Sequence, residues 1–295
     1  MTELQKKEFD ILRAFVTACE KLELSYFLVC GSALGAVKYG GFIPWDDDID
    51  VALPRRDYEI FLARAKDVLP DWCFVQNYRT DPCFHLLGTK LRDSRTTFVE
   101  SMCEGLNIHH GVFIDVFPLD GHWDTPKAYK RIRRQRRVFD GKRRVHLEYN
   151  RFSPANLLST RTFFYYISNR LFGLYGDTAK AIARFEGVIS AFPTDESDVW
   201  CNHANSSSPR EFAPRNQYGK GAEAIFEGLQ IRIPERYDEY LAQKYGDWRA
   251  ELPEEQKVGH HDHVIFDPNR SYRDYIEETS ADGRKIRLRQ TKKKS

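Results

Sequence analysis

Four aspartates crowd into five residues near the start of this sequence, within the run Pro44–Val51: Asp46, Asp47, Asp48 and Asp50. Carboxylates held this close in a folded chain repel one another strongly unless a proton or a cation lies between them. A divalent metal ion is the counterion that this spacing favours, and carboxylates that hold metal ions are typical of phosphate-transfer sites. A further carboxylate, Asp115, interrupts an otherwise apolar run and also needs a partner, because an unpaired buried carboxylate is costly.

The alternation of acidic and apolar residues from Asp48 onward predicts a strand that ends at Pro54. Side chains two residues apart on a strand share a face and lie about 6 to 7 Å apart. Asp48 and Asp50 are therefore expected to point the same way, while Ile49 and Val51 enter the core. Two carboxylates at this separation can bracket magnesium or a pair of metal ions.

A Gly-Ser pair lies a short distance upstream of the acidic run. The apolar run Tyr26–Val29 predicts a buried strand, Gly31-Ser32 ends it, and a helix is predicted from Ala33 to Lys38. Free backbone N–H groups at such a helix start, together with a serine hydroxyl, can hold a phosphate. Gly31-Ser32 therefore predicts a phosphate-binding loop.

Each of these features also has a plain structural explanation. The acidic run could be a solvated turn, Gly31-Ser32 an ordinary turn after a strand, and Asp115 one half of an ion pair with an arginine. The order along the chain favours chemistry instead: a strand, Gly-Ser and a helix, then an acidic strand, then an aspartate in a separate apolar strand.

The other apolar patterns predict a chain of helices and strands. An amphipathic helix is predicted from Thr2 to about Leu22, and helices at about Arg55–Val68 and from Pro234 through Tyr245. Strands are predicted at Cys73–Gln76, His85–Arg92, Thr96–Glu100, Gly111–Phe117, Val199–Phe212 and Ala224–Ile233. We expect a catalytic domain over residues 1–265 with a helical, basic subdomain at about 125–195. The polar, basic residues 266–295 are expected to form a disordered tail.

The composition is that of a globular chain, with 41% hydrophobic and 30% charged residues among 295. The net charge of +2 gives no case for specific nucleic-acid binding. No apolar run approaches the length of a membrane-spanning helix, and the first 21 residues do not resemble a signal peptide. The six cysteines contain no C-x-x-C pair and are expected to be reduced. These features predict a cytoplasmic protein.

The stretch Lys127–Arg144 contains ten lysines and arginines. A solvated helix face is the simplest explanation. So dense a positive charge also predicts attraction to an anionic polymer, such as a glycan that carries phosphates, or to the anionic inner surface of a membrane.

The run from Gly31 to Asp50 resembles the signature of the LicD family of phosphotransferases, which also includes fukutin and fukutin-related protein. Further matches lie at Lys90–Ser94, Gly111–Gly121, Phe226–Gly228 and Tyr245–Trp248, followed by His260-His261. The resemblance implies an α+β fold of the nucleotidyltransferase-like, polymerase-beta type: a mixed sheet flanked by helices, here with a basic helical insertion. It also implies transfer of a phospho-alcohol group such as phosphocholine from a CDP-linked donor to a hydroxyl of a glycan or lipid-linked glycan.

By position, the resemblance assigns metal-binding roles, for Mg²⁺ or Mn²⁺, to Asp46, Asp48, Asp50 and Asp115. Of these, Asp48, Asp50 and Asp115 are the expected catalytic residues, and Asp115 either holds metal or takes the acceptor proton. Asp47 falls outside the alternating spacing and is expected to contribute little. The remaining substrate-binding candidates are Gly31, Ser32, Lys38, Trp45, Lys90, Arg92, His260 and His261.

Several of these assignments leave alternatives open. Lys90 and Arg92 share a strand face and could meet phosphate, or could form ion pairs with Asp93 or Glu100. The two histidines could be structural, and Trp45 could pack in the core or help to cage a quaternary ammonium group. At the level of function, the alternatives are a nucleotidyltransferase that leaves a nucleoside monophosphate on its acceptor, a non-catalytic nucleotide-binding protein, and a structural calcium site.

Overall fold

The structure is a computed structural model that describes residues 1–122, 125–150, 160, 163–164, 167, 171, 178–204, 209–259, 261–281 and 283–289. Its helices are α1 (Glu3–Lys21), α2 (Cys30–Tyr39), α3 (Arg55–Val68), α4 (Pro126–Asn150), α5 (Thr178–Ile189), α6 (Arg215–Tyr218) and α7 (Tyr237–Tyr245). Its strands are β1 (Phe27–Leu28), β2 (Asp50–Pro54), β3 (Cys73–Gln76), β4 (Thr89–Asp93), β5 (Thr97–Glu100), β6 (Phe113–Gly121), β7 (Val199–Cys201), β8 (Phe212–Pro214), β9 (Ala222–Phe226), β10 (Leu229–Ile233), β11 (His263–Asp267), β12 (Ile276–Thr279) and β13 (Ile286–Leu288).

A mixed sheet carries the acidic residues at its centre. Its strand order is β1-β2-β6-β4-β3, and β7 and β8 extend it from β6. Strands β2 and β6 are parallel, whereas β4 runs antiparallel to β6. In this register Asp115 lies beside Asp50 on one side and beside Lys90 on the other. The predicted α+β class with a mixed sheet is confirmed.

Helices α1 and α3 pack against the sheet and hold β2 and β6 in place. Leu12 and Phe15 of α1 lie in the same hydrophobic cluster as Ile114 and Val116 of β6, and all four side chains are fully buried. Phe15 meets Phe61 of α3 edge to face, with ring centroids 5.4 Å apart. Because neighbouring strand residues point to opposite faces, this packing directs Asp115 away from the core.

Helices α4 and α5 pack against each other through a separate apolar cluster that includes Phe139, Ile182 and Phe185. Leu87, which precedes β4, joins this cluster and connects the helical pair to the sheet. The predicted helical character of the basic region is thus found in its described parts. The rest of that prediction, over residues 151–159 and most of 161–177, falls on residues that the structure does not describe.

Several element predictions are corrected. The strand predicted from Asp48 begins only at Asp50, and the run predicted as a strand from Val199 to Phe212 contains β7 and the first residue of the separate strand β8. Helix α2 begins at Cys30, so Gly31 and Ser32 form its first turn rather than a separate turn before it. The strand predicted from His85 begins only at Thr89, because Gly88 adopts a left-handed backbone with φ of 84° that interrupts an extended run.

The prediction of a disordered tail from residue 266 is wrong for the residues described there. Strands β12 and β13 form an antiparallel pair, and β11 pairs with β5. Tyr275 and Leu288 pack with Val99 and Ile265 in a small apolar cluster, which supplies the burial that holds this segment. Within the described parts of the chain, no helix is long and apolar enough to cross a membrane.

Candidate active site

Three aspartates of the acidic run, Asp46, Asp48 and Asp50, line one cavity beside the first residue of β2. Only Asp50 belongs to β2; Asp46 and Asp48 lie on the loop before it. Ile49 and Val51 are fully buried, as the alternation predicts. The aspartates and the apolar residues between them therefore divide between the cavity and the core.

The acidic side chains are held in a strongly unfavourable electrostatic environment. Burial, reinforced by Asp47, raises the pKa of Asp46 to about 6. Burial and the neighbouring Asp46 raise the pKa of Asp48 to about 7. The pKa of Asp50 is also raised, by burial and then by the charges of Asp48 and Asp115. These carboxylates thus lack sufficient positive charge around them.

Lys90 is the nearest lysine to Asp115. Its Nζ lies 3.6 Å from Asp115 Oδ2 and 3.3 Å from Glu100 Oε1, and it sits 3.1 Å from the centre of the Phe113 ring. Burial would raise the pKa of Glu100, but the charges of Lys90 and Arg92 hold it well below the usual value of a glutamate. Lys90 is therefore shared between two carboxylates and only partly compensates Asp115.

Asp47 holds the returning C-terminal part of the chain. Its Oδ2 accepts the backbone N–H of His261 at 3.0 Å, and its Oδ1 lies 3.1 Å from His261 Nδ1. Burial alone would lower the pKa of His261, but the Asp47 hydrogen bond raises it overall. His261 Nδ1 also lies 3.9 Å from Asp48 Oδ2. Asp47 thus positions a histidine next to the acids, a role that its spacing did not suggest.

The first turn of α2 is fitted closely to the acidic loop. A Cβ atom on Gly31 would lie 2.8 Å from Asp46 Oδ2, so glycine permits this approach. The Ser32 side chain is buried, and its Oγ accepts the backbone N–H of Asp50 at 2.8 Å. Gly31 and Ser32 are the second and third residues of α2, where backbone N–H groups have no acceptor within the helix. Ser32 therefore fixes Asp50 directly, while the helix start can offer donors to a ligand.

The cavity beside Asp46, Asp48 and Asp50 measures about 560 Å³ and is rich in aromatic side chains. We call it the aromatic cavity, after its four aromatic lining residues: Tyr39, Trp45, Tyr245 and Trp248. The rings of Tyr39 and Trp45 stand 6.2 Å apart at 78° and so form a corner. Lys257 Nζ lies 5.2 Å from the Trp45 ring, so this ring already attracts a cation.

A second cavity, of about 460 Å³, lies on the Asp115 side of the cluster. We call it the arginine cavity, because Arg136 and Arg143 reach it from α4. Asp115, Lys90, Glu100 and His261 are among its other lining residues. The acids therefore border two cavities of different character, one aromatic and one basic.

The remaining residues predicted to bind substrate lie in different surroundings. Trp45 and Lys38 line the aromatic cavity, and Lys38 Nζ is held by the carbonyls of Arg249 and Ala250. Arg92 is only 1% exposed and donates to the Gln76 side chain, the Gly111 carbonyl and Glu100. The structure thus places Arg92 beneath the site, where it supports Glu100. His260 lies outside the described residues.

Sequence reasoning missed Glu8 of α1. It is 2% exposed, and burial followed by the charges of Asp48 and Asp47 raises its pKa strongly. Glu8 falls on the apolar stripe of α1 between Leu4 and Leu12, and an acid on a buried helix face is the signal that could have found it.

Tyr245 was noted only as part of a sequence match. It lines the aromatic cavity, and although 44% of the residue is exposed, burial of its hydroxyl end and the charges of Cys30 and Asp50 raise its pKa well above the usual value. Its hydroxyl therefore remains protonated at neutral pH and can donate a hydrogen bond beside the acids.

The acidic cluster fits a divalent cation in the chemistry of its donors. Its carboxylates supply only oxygen ligands, and their raised pKa values show that positive charge is lacking. Among the described residues, however, no three histidine, cysteine or acidic side chains converge as a finished metal centre. Magnesium takes one or two protein carboxylates and fills its shell with water and substrate phosphate, so such a partial site suits it.

Comparison with known proteins agrees with this arrangement. Residues 23–118 match the family described as LicD/FKTN/FKRP, nucleotidyltransferase domain. This range contains the first turn of α2, the acidic loop, β2 and Asp115. The chain is also 27% identical to the lipopolysaccharide cholinephosphotransferase LicD of Haemophilus influenzae, over an alignment that covers 88% of this chain and 96% of that protein. The family match over residues 23–118 and the similarity along most of the chain support the resemblance to the LicD family that the sequence signature indicates.

Proposed function

We propose that this protein is a phosphotransferase that moves a phospho-alcohol group of the phosphocholine type from a CDP-linked donor to a hydroxyl of a glycan. The observation that carries the proposal is the register of β2 and β6, which sets Asp50 beside Asp115 between two cavities. The similarity to a lipopolysaccharide cholinephosphotransferase supports both the reaction class and a glycan acceptor.

The aromatic cavity suits the alcohol part of the donor. A quaternary ammonium group binds to aromatic faces through cation–π attraction, and the corner formed by Tyr39 and Trp45 offers two such faces. Asp46, Asp48 and Asp50 add negative charge to the same cavity. Lys38, Arg210 and Lys244 also line it, with Lys38 paired to Glu251 and Lys244 to Glu211. This combination selects a bulky organic cation over a neutral sugar.

The chain's own residues then orient the two reactants. Ser32 fixes Asp50, the first turn of α2 offers backbone donors to phosphate oxygens, and Tyr245 donates from the aromatic side. Asp115 lines the arginine cavity, where it would either take the acceptor proton or hold the metal ion nearest the acceptor. The acceptor oxygen forms a bond to the transferred phosphorus, the bond to the departing CMP oxygen breaks, and CMP leaves with that electron pair. Catalysis in this scheme consists mostly of positioning and charge compensation.

Asp46, Asp48, Asp50 and Asp115 would hold Mg²⁺ or Mn²⁺, whose contribution is to neutralise the phosphate charge that these acids would otherwise repel. The raised pKa values of the first three support this assignment.

The exposed cations of α4 supply a surface for the acceptor. Arg133, Arg134 and Arg137 point to solvent, whereas Arg136 is held by Asp140 and the His203 carbonyl. Exposed cations attract a phosphorylated glycan, and a lipid-linked glycan at an anionic membrane surface is drawn by the same charge.

A panel of nucleotide-linked donors tests the proposal by thermal stabilisation. With magnesium present, CDP-choline should raise Tm more than CDP-ethanolamine, and both more than UDP-glucose. A ligand at 100 times its Kd adds about 2.7 kcal/mol to the free energy of unfolding, which is readily measured. Equal stabilisation by UDP-glucose, or none by either CDP-linked donor, would contradict the proposal.

A further inference from the structure

Arg143 lies on the inner side of α4, where it lines the arginine cavity. Its Nε is buried and meets no hydrogen-bond acceptor among the residues that the structure describes. A guanidinium group carries its charge permanently, so a buried N–H without an acceptor is costly. Arg143 therefore presents an unmet hydrogen-bonding need beside an open space.

The acids nearest to Arg143 are already engaged elsewhere. Asp140 accepts from Arg136 Nε at 3.0 Å, and Glu100 is shared by Lys90 and Arg92. Burial lowers the pKa of Arg143, although the charges of Cys103, Asp140 and Glu100 oppose this effect and Arg136 adds to it. In the part of the chain that the structure describes, these two acids thus have other partners than Arg143.

Side chains of both charge signs line the rest of the arginine cavity. Arg136 and Lys90 lie there with Arg143, and so do the acids Glu100, Asp115 and Asp262, of which Glu100 is already paired with Lys90 and Arg92. A phosphate group suits such a place, because its oxygens accept paired N–H donors from a guanidinium plane. A neutral sugar hydroxyl can also accept a hydrogen bond, but it brings no negative charge to the guanidinium group.

We propose that Arg143 binds a phosphate group in the arginine cavity, on the Asp115 side of the acids. This inference rests on the proposed function, in which that side receives the acceptor. The phosphate belongs either to the acceptor glycan or to the nucleotide of the donor, and both present the same oxygens to Arg143. Arg143 acts in this proposal as a substrate-binding residue and takes no part in proton transfer.

Equilibrium binding measures this directly, without any transfer reaction. The wild-type protein, Arg143→Gln, Arg143→Lys and the control Arg56→Gln are titrated by calorimetry with inorganic phosphate, glucose 6-phosphate and CMP. Arg56 is an exposed arginine of α3 that lines neither cavity and lies outside the basic helix α4, which makes it a suitable control. We expect Arg143→Gln to weaken binding of at least one probe by about tenfold or more, the value of a charge-assisted hydrogen bond, and Arg56→Gln to leave it unchanged.

The pattern among the probes identifies the source of the phosphate. Selective loss of glucose 6-phosphate binding assigns the site to the acceptor, and selective loss of CMP binding assigns it to the donor. Arg143→Lys keeps the charge but loses the paired donors, so it should recover only part of the affinity.

Thermal melting separates this role from a structural one. Without ligand, Arg143→Gln should melt no lower than wild type, because the change removes an unpaired buried charge, while its phosphate-induced rise in Tm should disappear. A lowered Tm with the phosphate response retained, or no binding of any probe by wild type, overturns the inference. If the products instead showed nucleotidyl transfer, the proposed function would fail while this binding result stood.

Discussion

At the scale of single residues, Asp50 has the most constrained position in the site. It is tied to Ser32 through its backbone, lies in register with Asp115, and shares a cavity with Asp46 and Asp48. Each contact comes from a different element. The carboxylate is thus fixed in an environment that its own charge disfavours, which is typical of a functional site.

Replacing Asp48 or Asp50 by asparagine should abolish transfer while the fold persists. Loss of one preorganised electrostatic interaction with the transition state lowers turnover by about 10²- to 10³-fold. The same substitution removes repulsion between neighbouring carboxylates, so the Tm of the variant should be equal to or above that of wild type. Turnover and melting of each variant are compared with Asp67→Asn, a surface change. Folded Asp48→Asn with near-normal turnover would remove this residue from the site.

The raised pKa values make a prediction about pH. In the native, metal-free protein Asp48 titrates at about 7, above about 3.9 for an unfolded aspartate, so the native state binds more protons between these values. Stability contributed by this residue therefore falls as the pH rises from about 4 to 7. Melting with a chelator should show a smaller decline between pH 5 and 8 in Asp48→Asn than in wild type, and magnesium should stabilise wild type more at pH 8 than at pH 5. Identical profiles for the two proteins would contradict the raised pKa.

Trp45 tests the aromatic cavity. Trp45→Leu removes one wall of the corner, and loss of a cation–π contact worth about 0.5 to 2 kcal/mol should raise KM for CDP-choline by about 2- to 30-fold. Trp72→Leu, a change to a tryptophan that contacts Arg95 outside the site, is the control. An equal KM effect for the two variants would show that Trp45 acts only through general stability.

At the scale of elements, the sequence predicted the bounds of those helices and strands that are determined by local residue patterns. Helix α3 and strand β3 have the predicted bounds, since Pro54 and the apolar alternation mark them. Helix α2 starts three residues earlier than predicted, at Cys30, whose left-handed backbone with φ of 53° and hydrogen bond to Tyr240 depend on the tertiary structure. Pairing of β12 with β13 likewise depends on burial against Val99, which no local pattern reveals.

The exposed face of α4 gives an element-scale prediction. Reversing Arg133, Arg134 and Arg137 to glutamate should raise the acceptor KM by more than tenfold and leave the donor KM within twofold, because opposed long-range charge slows approach of an anionic acceptor. Arg136 stays unchanged, since it holds Asp140. The acceptor effect should shrink as salt rises. A salt-independent effect, or none, would mean that this face is merely solvated.

At the scale of the whole molecule, the site is assembled from distant parts of the chain. The backbone N–H of His261 donates to Asp47, and the Tyr240 hydroxyl accepts the Cys30 N–H at the start of α2 at 3.2 Å. The sequence indicated the acids and their alternating faces, because these follow from spacing alone. It could not place Glu8, Arg143 or the two cavities, since those depend on which elements meet in space.

The central claim is that the phospho-alcohol, and not the nucleotide, reaches the acceptor. CDP-choline labelled separately in choline and in cytidine tests this most directly when it is incubated with the protein, magnesium and a lipopolysaccharide acceptor. We predict that the choline label appears on the glycan, that the cytidine label is released as CMP, and that Asp50→Asn does neither. Cytidine label on the glycan would contradict phospho-alcohol transfer and would indicate nucleotidyl transfer instead.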